Sequence, residues 1–185
     1  MNEAMWALGR GTGLVALVLV TLSVVLGVLT RSGRPAFGLP RFSVALVHRN
    51  VSLLASVFIL VHIASLFFDS YAQLNLVDVV FPFFGNYRPF WLGLGTVAFD
   101  LLVAITVTAL LRHHVGQRAF RVVHWFTYAM WPVALLHAVF TGTDAATPWF
   151  AAVAVTCGLA VLASVWWRLS EHFAELSDRR VEAPR

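Results

Sequence analysis

Five apolar, nearly charge-free stretches of about 20 residues dominate this chain, at residues 11–29, 42–68, 89–111, 119–141 and 148–167. At 1.5 Å of rise per residue, each is long enough as a helix to cross the ~30 Å hydrocarbon core of a bilayer. Hydrocarbon offers no hydrogen bonds, so each segment must satisfy its own backbone N–H and C=O groups, and the helix does so. The expected fold class is all-α, an integral membrane bundle of five transmembrane helices. It would form one domain over residues 1–168, with a short cytoplasmic tail at 169–185. Charged residues make up only 12% of the chain, about half the share of a soluble domain. That excludes an ordinary soluble enzyme and a disordered chain. The lone Cys157 excludes a disulfide framework and a cysteine-ligated zinc or iron–sulfur site. Pro89 and Pro148 stand where a first helical turn tolerates proline, with Thr147 as the N-cap of the last span.

The arginines set the expected orientation. The chain has 13 basic residues, all of them arginine. Arg31, Arg34, Arg41, Arg49, Arg112, Arg118, Arg121, Arg168, Arg179, Arg180 and Arg185 fall on one side of the alternating spans, and only Arg10 and Arg88 on the other. The positive-inside rule then puts the N-terminus outside and the C-terminus in the cytoplasm of a multi-pass plasma-membrane protein. So distributed, the arginines read as topology signals in contact with membrane lipid, and no nucleic-acid partner is expected. A cleaved signal peptide would carry its positive charge before the first apolar run, whereas here the arginines follow it.

Four of the seven histidines lie inside spans. His48 and His62 are 14 residues apart on span two, and His124 and His137 are 13 apart on span four. Both intervals correspond to a rise of about 20 Å, and the two spans run in the same direction. His48 therefore lies level with His124 near one face, and His62 with His137 in the opposite half. Imidazole is a good iron ligand, and helix bundles build cofactor sites from facing helices. Two level pairs fit the axial ligands of two stacked low-spin hemes, which leaves the iron to electron transfer. A lone histidine would more simply hydrogen-bond a neighbouring helix; four at matched heights argue for ligation. One objection arises from helix geometry. Fourteen residues return within about 40° of the same face, but 13 leave the pair about 140° apart, so span four should not be straight. Pro132 lies between its histidines and is the expected cause.

The paired histidines and the segment HWFTYAMWPVALLHAVFTGTD resemble the ferric reductase-like transmembrane domain family, small actinobacterial members above all. That family includes ferric reductases, NADPH oxidase membrane domains and the heme subunit of periplasmic methionine sulfoxide reductase systems. The resemblance spans about residues 12–168. It implies two b-type hemes held by His48, His62, His124 and His137, carrying electrons from the cytoplasm to the outer face. Larger members carry a cytosolic FAD and NAD(P)H module, and no glycine-rich nucleotide fingerprint occurs here. The expectation is an oxidoreductase electron-transfer subunit. A separate cytoplasmic flavin reductase or a quinol would be the donor, and an external protein or small molecule the acceptor. Two alternatives are a terminal metal- or oxygen-reducing oxidoreductase acting at the outer heme, and a heme-free scaffold or transporter.

Several further residues carry expectations. Arg49 and Arg121 adjoin the inner histidines and would pair with heme propionates, or else snorkel to the interface. Arg88 is a candidate for the outer heme. Asp100, in the middle of span three, should face the bundle interior and hydrogen-bond a helix or cofactor, or serve a proton path. His113, His114 and His172 read as solvated. Trp125, Phe126, Tyr128 and Trp131 read as helix packing or heme contacts, and Trp149, Trp166 and Trp167 as an interfacial belt. The apolar connection at 69–88 would lie on the membrane beside the outer heme, where an acceptor docks.

Overall fold

A computed structural model describes residues 2–69, 74–85, 87–171, 173 and 175. Its elements are α1 (Asn2–Ser32), α2 (Arg41–Phe67), α3 (Leu76–Val80), α4 (Pro89–Leu110), α5 (Arg112–Trp125), α6 (Thr127–Thr141) and α7 (Pro148–Leu169). Five candidate spans result, with α5 and α6 together forming the fourth. No strand occurs among the described residues. The protein is a multi-pass membrane protein. Helix α1 starts about nine residues before the apolar run, because nothing in Asn2–Arg10 breaks a helix and Glu3 suits its first turn.

The bundle is built round α1, which packs on α2, α6 and α7, while α4 packs on α5 and α6. Between them lies a hydrophobic core that includes Val20, Val24, Ala55, Leu102, Ile105, Met130, Trp131 and Val161. Leu22, Val57, Leu60, Val103, Leu159 and Leu162 project outward in mid-span, as a lipid-facing surface requires. Pro89 and Pro148 each occupy a first helical turn. Thr147 precedes α7, but its hydroxyl donates to the Asp144 carbonyl at 2.6 Å and makes no cap bond.

The fourth span is broken, though not at Pro132. Proline lies inside α6, and the break falls six residues earlier at Phe126. There the Phe126 N–H turns back tightly to Val123, and the Thr127 hydroxyl takes the His124 carbonyl at 2.7 Å. Proline's ring presses on the carbonyl one turn upstream, so its distortion spreads toward the N-terminus. A second irregularity sits at Gly116, whose φ of 80° is a conformation glycine adopts freely. It separates the short turn after α4 from the membrane-crossing part of α5.

Asp100 does not face the interior. Ala98, Leu102 and Ile105 form the buried face of α4, and residue 100 lies about 160° round the helix from 98 and 102. Its side chain is on the exposed flank.

Candidate functional site

The structure brings the four intramembrane histidines together as two pairs. At the arginine-rich end, the His48 and His124 rings have centroids 6.3 Å apart and planes at 88°. Phe120 packs on His124 with centroids 5.0 Å apart. At the other end, His62 and His137 line one cavity of about 260 Å³ among α1, α2, α4 and α6. Its walls are mostly apolar, including Leu17, Phe99 and Leu102.

The backbone of α1 and α4 holds three of these rings. The His62 Nδ1 donates to the Gly9 carbonyl at 2.7 Å, and the His137 Nδ1 to the Trp91 carbonyl at 2.9 Å. In each case a glycine stands four residues beyond the accepting carbonyl. A Cβ on Gly13 would come within 3.0 Å of the His62 ring, and one on Gly95 within 2.6 Å of His137. The missing side chain is what lets the imidazole reach the carbonyl. Gly27 cradles His48 in the same way, at 3.3 Å. A signal for these glycines was present in the sequence: Gly13 and Gly27 are 14 residues apart, as are His48 and His62 on the antiparallel partner helix. With Nδ1 donating, Nε2 keeps its lone pair for a metal. The His124 Nδ1, by contrast, is buried without a hydrogen-bond partner, while the His48 ring faces the Ser23 carbonyl, four residues before Gly27, outside normal hydrogen-bond geometry. Stranding a polar atom this way is unfavourable.

Charged groups cluster at both ends. Arg10 lines the His62–His137 cavity, stacks on Trp6 at 3.9 Å, and pairs with Asp144, its Nε donating at 2.6 Å. Asp78 lines the cavity too; Asn75 caps α3 with it, and the Thr96 hydroxyl donates to its carbonyl at 2.6 Å. Leu74, Asp78 and Val79, from the described part of the 69–88 connection, thus line the cavity, while Phe81 and Phe84 are exposed. Arg88 donates to the Phe140 carbonyl at 2.6 Å, tying the start of α4 to the end of α6. Arg49 and Arg121 are exposed and make no ion pair among the described residues. Near His124 the structure instead assembles Arg31, Arg168 and Glu175. His113 and His114 are exposed. His172, Arg179, Arg180 and Arg185 lie outside the described residues. Trp125 and Phe126 are exposed, whereas Trp131 is buried and its indole donates to the Thr21 hydroxyl at 2.9 Å. That pair forms a partition between the two histidine levels.

The profile of the family described as "Ferric reductase like transmembrane component" matches residues 12–136, two thirds of the chain. The chain belongs to this family. The match takes in His48, His62 and His124 and stops one residue short of His137. No curated protein and no solved structure gave a match. Ferric reductase-like domains usually bind heme and move electrons across membranes. The residues present suit such a group. Imidazoles stand in pairs at two levels, two have Nδ1 fixed by carbonyls, His124 has a buried Nδ1 without a partner, and one pair borders an apolar cavity. No cluster of three or more histidine, cysteine, aspartate or glutamate side chains fit for a bare metal ion occurs among the described residues.

Proposed function

We propose that this protein carries electrons across the membrane through two b-type hemes, one held by His48 and His124 and the other by His62 and His137. The observation carrying this reading is the pairing itself: rings 6.3 Å apart at one level, and rings bordering a common cavity at the other. Bis-imidazole heme supplies a one-electron couple without an open coordination position. Around it, the Gly9 and Trp91 carbonyls orient two of the imidazoles, and the Trp131–Thr21 layer keeps the space between levels dry. Arginines 31, 34, 41, 49, 112, 118, 121 and 168 gather at the His48–His124 end, which supports placing that end in the cytoplasm. Electrons would enter there from a flavin reductase or quinol and leave near the 69–88 connection, where an external protein or small molecule accepts them. A basic entry face would attract an acidic donor, with the attraction weakening as salt rises.

The test is the heme-to-chain ratio and visible spectrum of the purified protein, then anaerobic reduction in oriented vesicles with donor on one face at a time. The expected ratio is two, with low-spin spectra and reduction from the arginine-rich face. A ratio near zero after expression with ample heme would sink the reading, and reduction from the opposite face alone would reverse its direction.

A further inference from the structure

At the end of the bundle that holds His48 and His124, the Glu175 carboxylate lies between two guanidinium groups. Arg31 approaches it at 3.2 Å and Arg168 at 3.4 Å. The Arg168 side chain is only 8% exposed, unusually low for an arginine at the end of a span. Its guanidinium lies 4.9 Å over the ring of Trp125, the residue after His124, and 5.8 Å over that of Tyr128. Arg31 stands four residues after Gly27, hence on the α1 face that cradles the His48 ring. Two cations therefore converge on a carboxylate beside one histidine pair. Arg49 and Arg121, next to those histidines in sequence, are exposed and make no ion pair among the described residues.

Heme b carries two propionate carboxylates, and guanidinium is well suited to bind such groups. We infer that Arg31 and Arg168 anchor the propionates of the heme between His48 and His124, and that Glu175 occupies in this structure the place a propionate takes. The inference rests on the two-heme reading. It makes Glu175 a competitor for the site, where a purely structural ion pair would make it a partner.

That difference sets the test. Redox titration by visible spectroscopy and the heme-to-chain ratio are measured for wild type, Arg168→Gln, Arg31→Gln and Glu175→Gln, with Arg49→Gln and Arg121→Gln as controls. Removing an anchoring cation should disfavour the reduced heme by about tenfold, which lowers one potential by about 59 mV for one electron. Glu175→Gln should keep both hemes and move the same potential upward. The controls should change neither measurement. In cells fed the dimethyl ester of heme b, wild type should lose the advantage in heme retention it otherwise holds over Arg168→Gln. If Arg168→Gln and Glu175→Gln destabilise the protein alike and leave both potentials unchanged, the pair is structural and the inference falls. Persistence of the retention advantage with the ester would also overturn it. Absence of heme from wild type would instead overturn the two-heme reading.

Discussion

The two histidine levels are built to different degrees of completion. At the His62–His137 level both Nδ1 atoms donate to main-chain carbonyls of α1 and α4, and the rings border a preformed apolar cavity. At the His48–His124 level the rings lie close, but the His124 Nδ1 lacks a partner, His48 meets the Ser23 carbonyl only loosely, and the nearby guanidiniums hold a carboxylate from the tail. The first level is oriented by main-chain carbonyls of two helices, that of Gly9 in α1 and that of Trp91 in the first turn of α4. In the second, α1 cradles His48 at Gly27, but His124 has no main-chain acceptor and stands just before the break at Phe126. Preorganisation thus follows from where each pair meets rigid backbone.

The largest effect expected from this contrast concerns the ligands. His62→Ala or His137→Ala should lower the heme-to-chain ratio from two to one and leave the His48–His124 heme in place. Loss of both hemes from folded protein carrying either substitution would break the picture of independent levels. If His62→Ala removed the same heme as His124→Ala, the pairs would have to be redrawn.

Next comes the partition that separates the levels. Trp131 is 5% exposed and hydrogen-bonded to Thr21, so Trp131→Ala should cost about 3–5 kcal/mol through the cavity it opens. Thermal unfolding in detergent reads the loss. Heme spectra should change at both levels alike, because the partition belongs to neither; a change confined to one would show that Trp131 is part of that site.

The glycine cradles sharpen the comparison further. An added Cβ on Gly95 would sit 2.6 Å from the His137 ring, whereas one on Gly27 would sit 3.3 Å from His48. Gly95→Ala should therefore displace His137 from the Trp91 carbonyl and weaken heme retention at that level about tenfold, roughly 1.4 kcal/mol. Gly27→Ala should have a smaller effect at the other. Equal effects would mean that the main-chain cradle does not distinguish the levels.

The smallest effect is expected at the mouth of the cavity. Arg10 and Asp144 form a partly exposed ion pair with side chains 33% and 16% accessible. Asp144→Asn should lower stability by about 0–1 kcal/mol, with the difference shrinking in high salt. A loss of several kcal/mol in the unfolding curve would mean that this end, too, depends on charged side chains.

What could be read from the residues was whatever is one-dimensional. Apolar run length specified five spans, and the rise of 1.5 Å per residue put His48 level with His124 and His62 level with His137. The separation of 13 from His124 to His137 even required a distorted fourth span. These features survive because the bilayer imposes length and the helix imposes rise, whatever the helices pack against.

Tertiary structure decided the rest. It put the break at Phe126 and left Pro132 inside α6. It turned Asp100 to the exposed flank of α4, since the rotation of a uniformly apolar helix is set by its neighbours. It brought Arg168 to the His48–His124 pair from the far end of the chain, while Arg49 and Arg121, adjacent in sequence to those histidines, stayed exposed. And it seated His62 and His137 on carbonyls freed by Gly13 and Gly95. Hydropathy marks which residues lie in the membrane, but the helix faces that meet depend on shape complementarity among all five spans.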